Sequence, residues 1–267
     1  MNEEALVYWI TERENIRKAK EQGKSKPWSD NEVMQQTYFC NVHREDDKVT
    51  RWVRTQWALQ GLHNIEANMC MARLVNRIES LKALNWPWDH FDAERFGVVA
   101  NNTQPFWGSA YVVTTHGQPM SKVDYAIEVL GAIFRVSPTI PIGSTLNSAH
   151  GVLTGLEGFG SFMAAQVVAD LKNTVGHTLQ NAVDRNTWSA HGPGSLRGLG
   201  WILDCKVTPG AYHNAIYKAW TRVRGHLAPK EQVMCMQDFQ NCLCEFDKFM
   251  RVTHKTGKSK RRYNGGN

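Results

Sequence analysis

A Gly-x-Gly turn between two apolar segments constrains this chain more than any other feature of its sequence. Residues 156–167 read Leu-Glu-Gly-Phe-Gly-Ser-Phe-Met-Ala-Ala-Gln-Val. Because glycine adopts positive φ without steric cost, Gly158 and Gly160 permit a tight turn and leave amide N–H groups uncovered at the start of the next helix, where a phosphate binds well. The stretch predicts two helices, at about 148–156 and 162–173, joined as a helix-hairpin-helix that grips nucleic acid. A plain tight turn between packed helices is the alternative.

A second glycine-rich stretch follows at residues 191–200, and its glycine content predicts a loop rather than a helix. Gly194 and Ser195 offer backbone N–H donors and Arg197 offers a guanidinium, a combination suited to phosphate. The alternative for this loop is a surface turn. The two stretches together supply the candidate contacts to DNA, which are Gly158, Gly160, Ser161, Gly194 and Ser195.

Apolar periodicity elsewhere predicts a mostly helical protein. We expect helices over 6–20, from about 31 with Asp30 as its cap, twice within 53–84, over 122–134 and over 231–252. Residues 110–115 are β-prone and predict a short hairpin. The expected fold is mostly α with few short strands, in one domain over residues 1–253.

The charge balance favours a polyanionic partner, because the 267 residues carry a formal net charge of +6. Part of this excess lies in residues 254–267, which contain no acid and predict a disordered basic tail, with a merely solvated tail as the alternative. No apolar run is long enough to cross a bilayer, and the acidic N-terminus shows no secretory signal. We therefore expect a cytoplasmic protein without a membrane partner.

The hairpin resembles the helix-hairpin-helix of base-excision DNA glycosylases, in which an apolar residue and a Gly-x-Gly precede an alanine-containing amphipathic helix. In bifunctional glycosylases the lysine that attacks the sugar stands two residues after the second glycine, and this chain has Phe162 there. A phenyl ring cannot form a Schiff base, so we expect no lyase chemistry. The superfamily also has an aspartate after the hairpin, for which Asp170 and Asp184 are candidates. The alternative for each is a solvated helix or loop residue.

The cysteines predict no metal site. Six cysteines in a chain without a secretion signal are typical of reduced thiols. Cys235 and Cys242 have the spacing that opens the iron–sulfur loop of some DNA glycosylases, but Cys244 follows at once and no fourth cysteine comes after it. Because such a cluster needs four thiolates, we expect cysteines on a buried helix face and no metal or other cofactor.

Several further segments, taken in order, resemble one family. They are Arg13-x3-Arg17, residues 26–30 (Lys-Pro-Trp-Ser-Asp), 39–47 (Phe-Cys-Asn-Val-His-Arg-Glu-Asp-Asp), 160–166, 170–171, 192–195 and 243–248 (Leu-Cys-Glu-Phe-Asp-Lys). Together they resemble the α-glutamyl/putrescinyl-thymine pyrophosphorylase-like family, whose viral members are amino acid:DNA transferases. The resemblance runs from about residue 8 to residue 252.

The resemblance implies DNA hypermodification in bacteriophages, in the cytoplasm of the host. Members act on double-stranded DNA in which a separate hydroxymethyluracil DNA kinase has phosphorylated or pyrophosphorylated 5-hydroxymethyluracil, so a functional link to that kinase is expected. The phosphoryl group leaves, and the amine of a free amino acid, glycine in the first place, bonds to the exocyclic methylene carbon. The chain has no Gly-x4-Gly-Lys-Ser/Thr loop, so we expect that it does not activate its own substrate.

This chemistry implies three kinds of site residue. Departure of the leaving group needs positive charge, and selection of an amino acid needs a guanidinium for its carboxylate; the candidates are Arg13, Arg17, Arg44, Arg197 and Lys248. The amine must be neutral to attack, so it needs a base, for which the candidates are Asp170, Asp184 and Glu245. The target base must flip out of the duplex, and Trp28, Trp107, Trp188 and Trp201 are candidates to stack on it, with a core position as the alternative.

Two alternatives stay open. A monofunctional DNA glycosylase would use Asp184 to stabilise the sugar cation while a modified base departs. A non-catalytic DNA-binding module would use the hairpin and the basic tail only to hold the duplex. Salt-sensitive binding to DNA is expected of all three, so it does not discriminate between them.

Overall fold

The chain folds mostly into helices in the part that its computed structural model describes, which is residues 2–60, 63–109, 113–115 and 117–257. Within these ranges no strand is formed, and the mostly α fold class is confirmed. Residues 113–115 of the predicted hairpin have no regular structure, and residues 110–112 lie outside the described residues. The predicted basic tail lies outside them from residue 258 onward.

The helices are connected by turns and by longer segments, such as those between α6 and α7 and between α9 and α10. In chain order they are α1 (Asn2–Glu21), α2 (Glu32–Gln36), α3 (Lys48–Gln60), α4 (Ile65–Val75), α5 (Ile78–Ala83), α6 (Ala93–Asn102), α7 (Lys122–Val136), α8 (Leu146–Thr154), α9 (Ser161–Leu171), α10 (Pro193–Leu203), α11 (Tyr212–Val223) and α12 (Met236–Thr253). Single 3₁₀ turns lie at Arg44–Asp46, Thr178–Asn181, Pro209–Ala211, Arg224–His226 and Glu231–Val233. None of the described helices combines the length and the hydropathy that a membrane span requires.

The chain divides into two compact units. The first comprises Met1–Asp47 and Ser189–Asn267, and the second comprises Lys48–Trp188. The second unit is therefore inserted into the sequence of the first. The expectation of one domain over residues 1–253 stays a prediction.

The core of the first unit forms where α1 packs against α10, α11 and α12. Helix α1 begins with acids in its first turn and ends with lysines in its last, which complements the helix dipole. Its Trp9 is fully buried together with Tyr212, Phe239 and Phe246. These large aromatic side chains fix the N-terminal segment against the C-terminal helices.

Helix α10 corrects an expectation, because residues 193–203 form a helix where the glycine content had predicted a loop. The glycines serve packing instead. A Cβ atom on Gly198 would lie 2.2 Å from the carbonyl oxygen of Leu243 on α12. One on Gly194 would lie 3.2 Å from Sγ of Cys244. Small residues on this face therefore let the backbones of α10 and α12 approach closely.

The second unit is built around α4, which packs against α7 and α9. Most of α4 is buried, including the polar side chains of Glu66, Asn68 and Arg73. Trp86 and Trp88 are buried beside it. Each indole N–H donates to a backbone carbonyl, of Asn68 and of Leu84 respectively.

Several helix boundaries differ from the predicted ones by a few residues or by one additional short helix. Asn31, not Asp30, caps α2 by accepting a hydrogen bond from the amide of Met34 at 3.1 Å. The predicted pair of helices in 53–84 is three helices, α3 to α5. The last helix begins at Met236, after a separate 3₁₀ turn at Glu231–Val233.

Candidate functional site

The Gly-x-Gly turn joins α8 to α9 within the second unit, as the sequence predicted. Gly158 has φ of +76°, and a Cβ atom there would lie 2.7 Å from Cγ2 of Val129, so only glycine fits. Gly160 differs from the expectation. Its φ is −77°, an ordinary extended conformation, and it stands as the N-cap residue of α9.

The start of α9 is open to ligands. Gly160 has no side chain to cap the helix, and no side-chain cap is formed among the described residues. Ser161 is exposed, and Phe162 is exposed to 58%. A glycine at the N-cap and an exposed first turn are features that suit a helix N-terminus to phosphate binding.

His150 on α8 fixes the state of the Ser161 hydroxyl. Nε2 of His150 lies 3.0 Å from the carbonyl oxygen of Ser161 and 3.2 Å from its Oγ. Because a carbonyl oxygen only accepts, this geometry assigns the proton to Nε2, and the hydroxyl oxygen accepts as well. In that tautomer Nε2 already carries a proton and takes none from the Ser161 hydroxyl.

Asp184 lies at the N-terminus of α8, the first helix of the hairpin. Its two carboxylate oxygens accept hydrogen bonds from the backbone amides of Leu146 at 2.7 Å and Asn147 at 3.0 Å, the first two residues of α8. The side chain of Asn147 in turn accepts from the indole N–H of Trp188 at 3.0 Å. Asp184 therefore stabilises the N-terminus of α8 while its side chain stays half-buried.

Asp170 is engaged differently, in a buried ion pair. Both of its carboxylate oxygens accept from the guanidinium of Arg73 on α4. Arg73 also donates to Oγ1 of Thr50 at 2.6 Å and to Oδ1 of Asn76 at 3.2 Å. Both carboxylate oxygens are paired and only 1% of the residue is exposed. This geometry indicates that Asp170 holds α9 to α4.

In the first unit, Glu245 and Lys248 form a pair on α12. Nζ of Lys248 lies 2.9 Å and 2.7 Å from the two carboxylate oxygens of Glu245, and it also donates to the carbonyl oxygen of Tyr38 at 3.2 Å. Oε2 of Glu245 accepts from the amide of Cys40 at 2.9 Å. The pair therefore fastens the segment 38–40 to α12.

Arg13 on α1 fastens the same segment from its other side. Its Nε donates to the carbonyl oxygens of Phe39 at 3.3 Å and Cys40 at 3.0 Å, and its Nη2 donates to Oδ1 of Asn41. Burial lowers the pKa of this guanidinium from its ordinary value. Its Nη1 is buried and has no hydrogen-bond partner among the described residues. Arg13 thus combines a structural role with one unused donor.

Arg17, one turn further along α1, is saturated by acids. It pairs with Glu14 at 2.9 Å, Glu21 at 2.7 Å and Asp46 at 3.2 Å. The hydrogen bond with Glu14 raises the pKa of the guanidinium above its ordinary value. Burial raises the pKa of Glu14, but the hydrogen bond to Arg17 and the positive charges of Arg17, Lys230 and His43 together outweigh it, and the net pKa is lowered. The pair therefore orders α1 against the 3₁₀ turn at Arg44–Asp46.

Arg44 and its neighbour His43 lie beside two other acids, Asp238 and Glu231. The backbone amide of Arg44 donates to Oδ1 of Asp238 at 3.1 Å. The imidazole of His43 lies 3.8 Å from Asp238 and 3.9 Å from Glu231. The predicted phosphate role of Arg44 thus concerns its side chain alone, since its backbone is committed to α12.

Arg197 on α10 is the most exposed of the predicted cationic residues, with 51% of its side chain accessible. It pairs with the buried Asp247 on α12 at 2.9 Å, as does Arg251 at 3.1 Å. Ser195 is fully buried, and its hydroxyl accepts from the amide of Gly192 and donates to its carbonyl oxygen, both at 3.0 Å. This geometry favours capping of α10 over a direct contact of Ser195 with DNA.

The predicted residues fall into two groups. Gly158, Gly160, Ser161, Asp170 and Asp184 belong to the second unit, and the other candidates belong to the first. Sequence reasoning missed His150, Arg73 and Asp247 as partners. Arg73 carried one signal, since it is a lone charge within the otherwise apolar run Met69–Val75, and a charge in such a run needs a buried partner.

Comparison with known families gives one match. The family described as "5-hmdU DNA kinase, helical domain", where 5-hmdU denotes 5-hydroxymethyldeoxyuridine, matches residues 3–259. No curated protein and no solved structure matches the chain. The match spans nearly the whole sequence, including both units.

Proposed function

The chain belongs to the family of the 5-hmdU DNA kinase helical domain, and on that premise we propose that it is an enzyme of 5-hmdU DNA modification, an amino acid:DNA transferase. Its substrate is double-stranded DNA in which the hydroxymethyl group already carries phosphate or pyrophosphate. Its second substrate is a free amino acid, with glycine the first to be tested. The work of activating the DNA belongs to a kinase.

The observation that carries the proposal is the start of α9. Its N-cap residue is a glycine, its Ser161 hydroxyl is exposed, and the exposed Phe162 stands where a sugar-attacking enzyme of similar hairpin has lysine. This combination supports a protein that holds the DNA backbone but leaves the glycosidic bond intact. The reacting atom is then on the base rather than on the sugar.

The reaction exchanges one bond for another at the exocyclic methylene carbon. The C–O bond to the phosphoryl group breaks and its electron pair leaves with the phosphate or pyrophosphate. The amine nitrogen forms the new C–N bond and gives up a proton to a base. Cationic side chains near the leaving group stabilise the charge that develops on it, a role we propose for Arg44, Arg197 and Lys248.

The three candidate bases differ in what their carboxylates already do. Asp170 is buried and doubly bonded to Arg73. Asp184 is half-buried beside the hairpin, and it can accept a proton once a hydrogen bond from a backbone amide breaks. Glu245 can accept a proton once its hydrogen bond from the ammonium group of Lys248 breaks. We therefore propose Asp184 or Glu245 as the base and Asp170 as a structural anchor.

The test incubates the purified chain with duplex DNA that carries pyrophosphorylated 5-hmdU and with isotope-labelled amino acids, followed by digestion to nucleosides and mass analysis. The expected product is a nucleoside carrying the label through a C–N bond. Unactivated 5-hmdU DNA serves as the control and is expected to stay unchanged. Abasic sites without any adduct would favour the glycosylase alternative.

A second candidate function is supported by the name of the family itself, which describes a helical domain of a DNA kinase. In that case the chain holds 5-hmdU DNA for a separate kinase and catalyses nothing. Addition of the chain would then raise the rate at which a 5-hmdU DNA kinase phosphorylates duplex DNA. Replacement of Asp184 and Glu245 by Asn and Gln would leave that stimulation unchanged.

A further inference from the structure

A cavity of about 200 Å³ lies within the first unit, between α1 and the segment 26–39. Its lining combines apolar and cationic side chains with the polar residues Ser29, Gln35, Thr37 and Tyr38. Ile16, Pro27, Met34 and the rings of Trp28 and Phe39 form an apolar surface. Arg13, Lys20 and Lys26 supply cationic groups, and no Asp or Glu belongs to the lining.

Arg13 gives the cavity a fixed positive charge. Its Nε and Nη2 donate to the segment 39–41, which holds the guanidinium in place. The residue is only 7% exposed, so water screens its charge weakly. Because no Asp or Glu belongs to the lining, an anion in the cavity is favoured.

The two lysines arrange further positive charge around one wall. Nζ of Lys20 lies 4.7 Å and Nζ of Lys26 lies 5.1 Å from the centre of the Trp28 ring. The indole is itself held in place, because its N–H donates to the carbonyl oxygen of Lys24 at 2.6 Å. A ligand entering here meets a fixed aromatic wall beside cationic groups.

We propose that this cavity binds a small organic carboxylate, its acid group held by the positive charge of Arg13, Lys20 and Lys26 and its body against Trp28 and Met34. A bare inorganic anion would leave the apolar wall without a partner, and a neutral molecule would gain nothing from the positive charge of the lining. The assignment of that carboxylate to the amino acid co-substrate rests on the proposed function. Glu245 accepts a hydrogen bond from the amide of Cys40, and Arg13 donates one to the carbonyl oxygen of Cys40. The proposed carboxylate-binding residue Arg13 and the candidate base Glu245 therefore hold the same residue.

The experiment titrates the full chain, without DNA, by calorimetry. The probes are glycine, glutamate, phenylalanine and benzoate as organic carboxylates, with the matching amide glycinamide, inorganic phosphate and pyrophosphate as comparisons. At least one carboxylate is expected to bind with one site per chain, and glycinamide is not. Binding of phosphate or pyrophosphate alone, or of no probe, would overturn the proposal.

Variants locate the site. Lys26→Ala and Trp28→Leu change the cavity wall and are expected to weaken carboxylate binding by about tenfold or more. Lys18→Ala is the matched control, since Lys18 lies on α1 outside the lining and should leave binding unchanged. Arg13→Lys is tested with a circular dichroism check of folding, because its Nε also holds the segment 39–40. Equal binding by all variants would place the ligand elsewhere and contradict the proposal.

This test is independent of transfer activity. Carboxylate binding without any adduct on activated DNA would sink the transferase proposal and leave the cavity assignment standing. If instead the Lys26→Ala and Trp28→Leu variants form the adduct and need the same amino acid concentration for half-maximal rate as the wild type, the transferase proposal stands and the cavity assignment is contradicted.

Discussion

Asp170 on α9 and Arg73 on α4 form a bidentate ion pair in the interior of the second unit, where both residues are buried. Removal of one partner leaves the other charge buried and unpaired, which costs about 3–5 kcal/mol. We therefore expect Asp170→Asn to lower the free energy of unfolding by this amount, measured by urea denaturation. The double variant Asp170→Leu with Arg73→Met should lose less than the single one. A normally stable Asp170→Asn protein that had lost only product formation would instead return Asp170 to a catalytic role.

The contact between Gly198 and Leu243 makes a second prediction about stability. Because a Cβ atom on Gly198 would lie 2.2 Å from the backbone carbonyl oxygen of Leu243, Gly198→Ala forces α10 and α12 apart. The expected loss is about 1–3 kcal/mol, by analogy with overpacked cores. Gly151→Ala is the matched control, since it is also helical and a Cβ there has nothing within 4 Å. That control should be neutral or stabilising by up to about 1 kcal/mol, and equal effects at both sites would contradict the packing account.

This contact also shows where sequence reasoning stopped. The pattern at 156–167 correctly located two helices and a glycine that only positive φ explains, because those are local properties of the chain. The glycines at 194 and 198 looked the same locally but serve contacts with α12, nearly fifty residues later in the sequence. Tertiary packing overrode helix propensity there.

The candidate residues show the same limit. Sequence chemistry selected Asp170, Asp184 and Glu245 as carboxylates that would suit a base. It gave no means of knowing that Asp170 faces Arg73 or that Asp184 faces the first amides of α8, since both partners are distant along the chain. The side chains that orient a residue become visible only when the helices are placed.

Variants of Asp184 can distinguish its role as a helix cap of α8 from its proposed role as the catalytic base. Asp184→Ala removes both acceptors from the start of α8 and is expected to cost about 0.5–2 kcal/mol, measured by thermal or urea unfolding. Asp184→Asn keeps one oxygen acceptor and should lose less stability, but its amide cannot take a proton. If Asp184 is the base, Asp184→Asn abolishes most product formation although it loses little stability. Its activity should then be as low as that of the less stable Asp184→Ala. Full activity of Asp184→Asn would assign the base to Glu245.

His43 predicts a dependence of stability on pH. Burial lowers its pKa, but the interaction with Asp238 and the charge of that carboxylate more than compensate, and the net pKa is raised above the ordinary 6.5. Between these two values the folded protein binds more protons than the unfolded chain. The contribution of His43 is therefore fully present below pH 6.5 and is lost as the pH rises through the raised pKa.

The measurement follows the free energy of unfolding against pH for the wild type and for His43→Gln, which does not titrate. The difference between the two proteins should shrink on going above pH 6.5. Lys230, Glu14 and Glu231 also lie beside His43, so each pH point is compared between the two proteins rather than read from the wild type alone. Parallel curves would show that His43 contributes no pH dependence.

A single turnover shows whether the chain replaces the phosphoryl group of activated 5-hmdU with an amine. Duplex DNA carrying pyrophosphorylated 5-hmdU is mixed with excess protein and labelled glycine or another amino acid, and released pyrophosphate and labelled nucleoside are quantified together. We expect the two to appear at the same rate and in equal amounts, with every glycosidic bond intact. Abasic sites, or pyrophosphate release without a labelled nucleoside for any amino acid, would contradict the proposed transferase function.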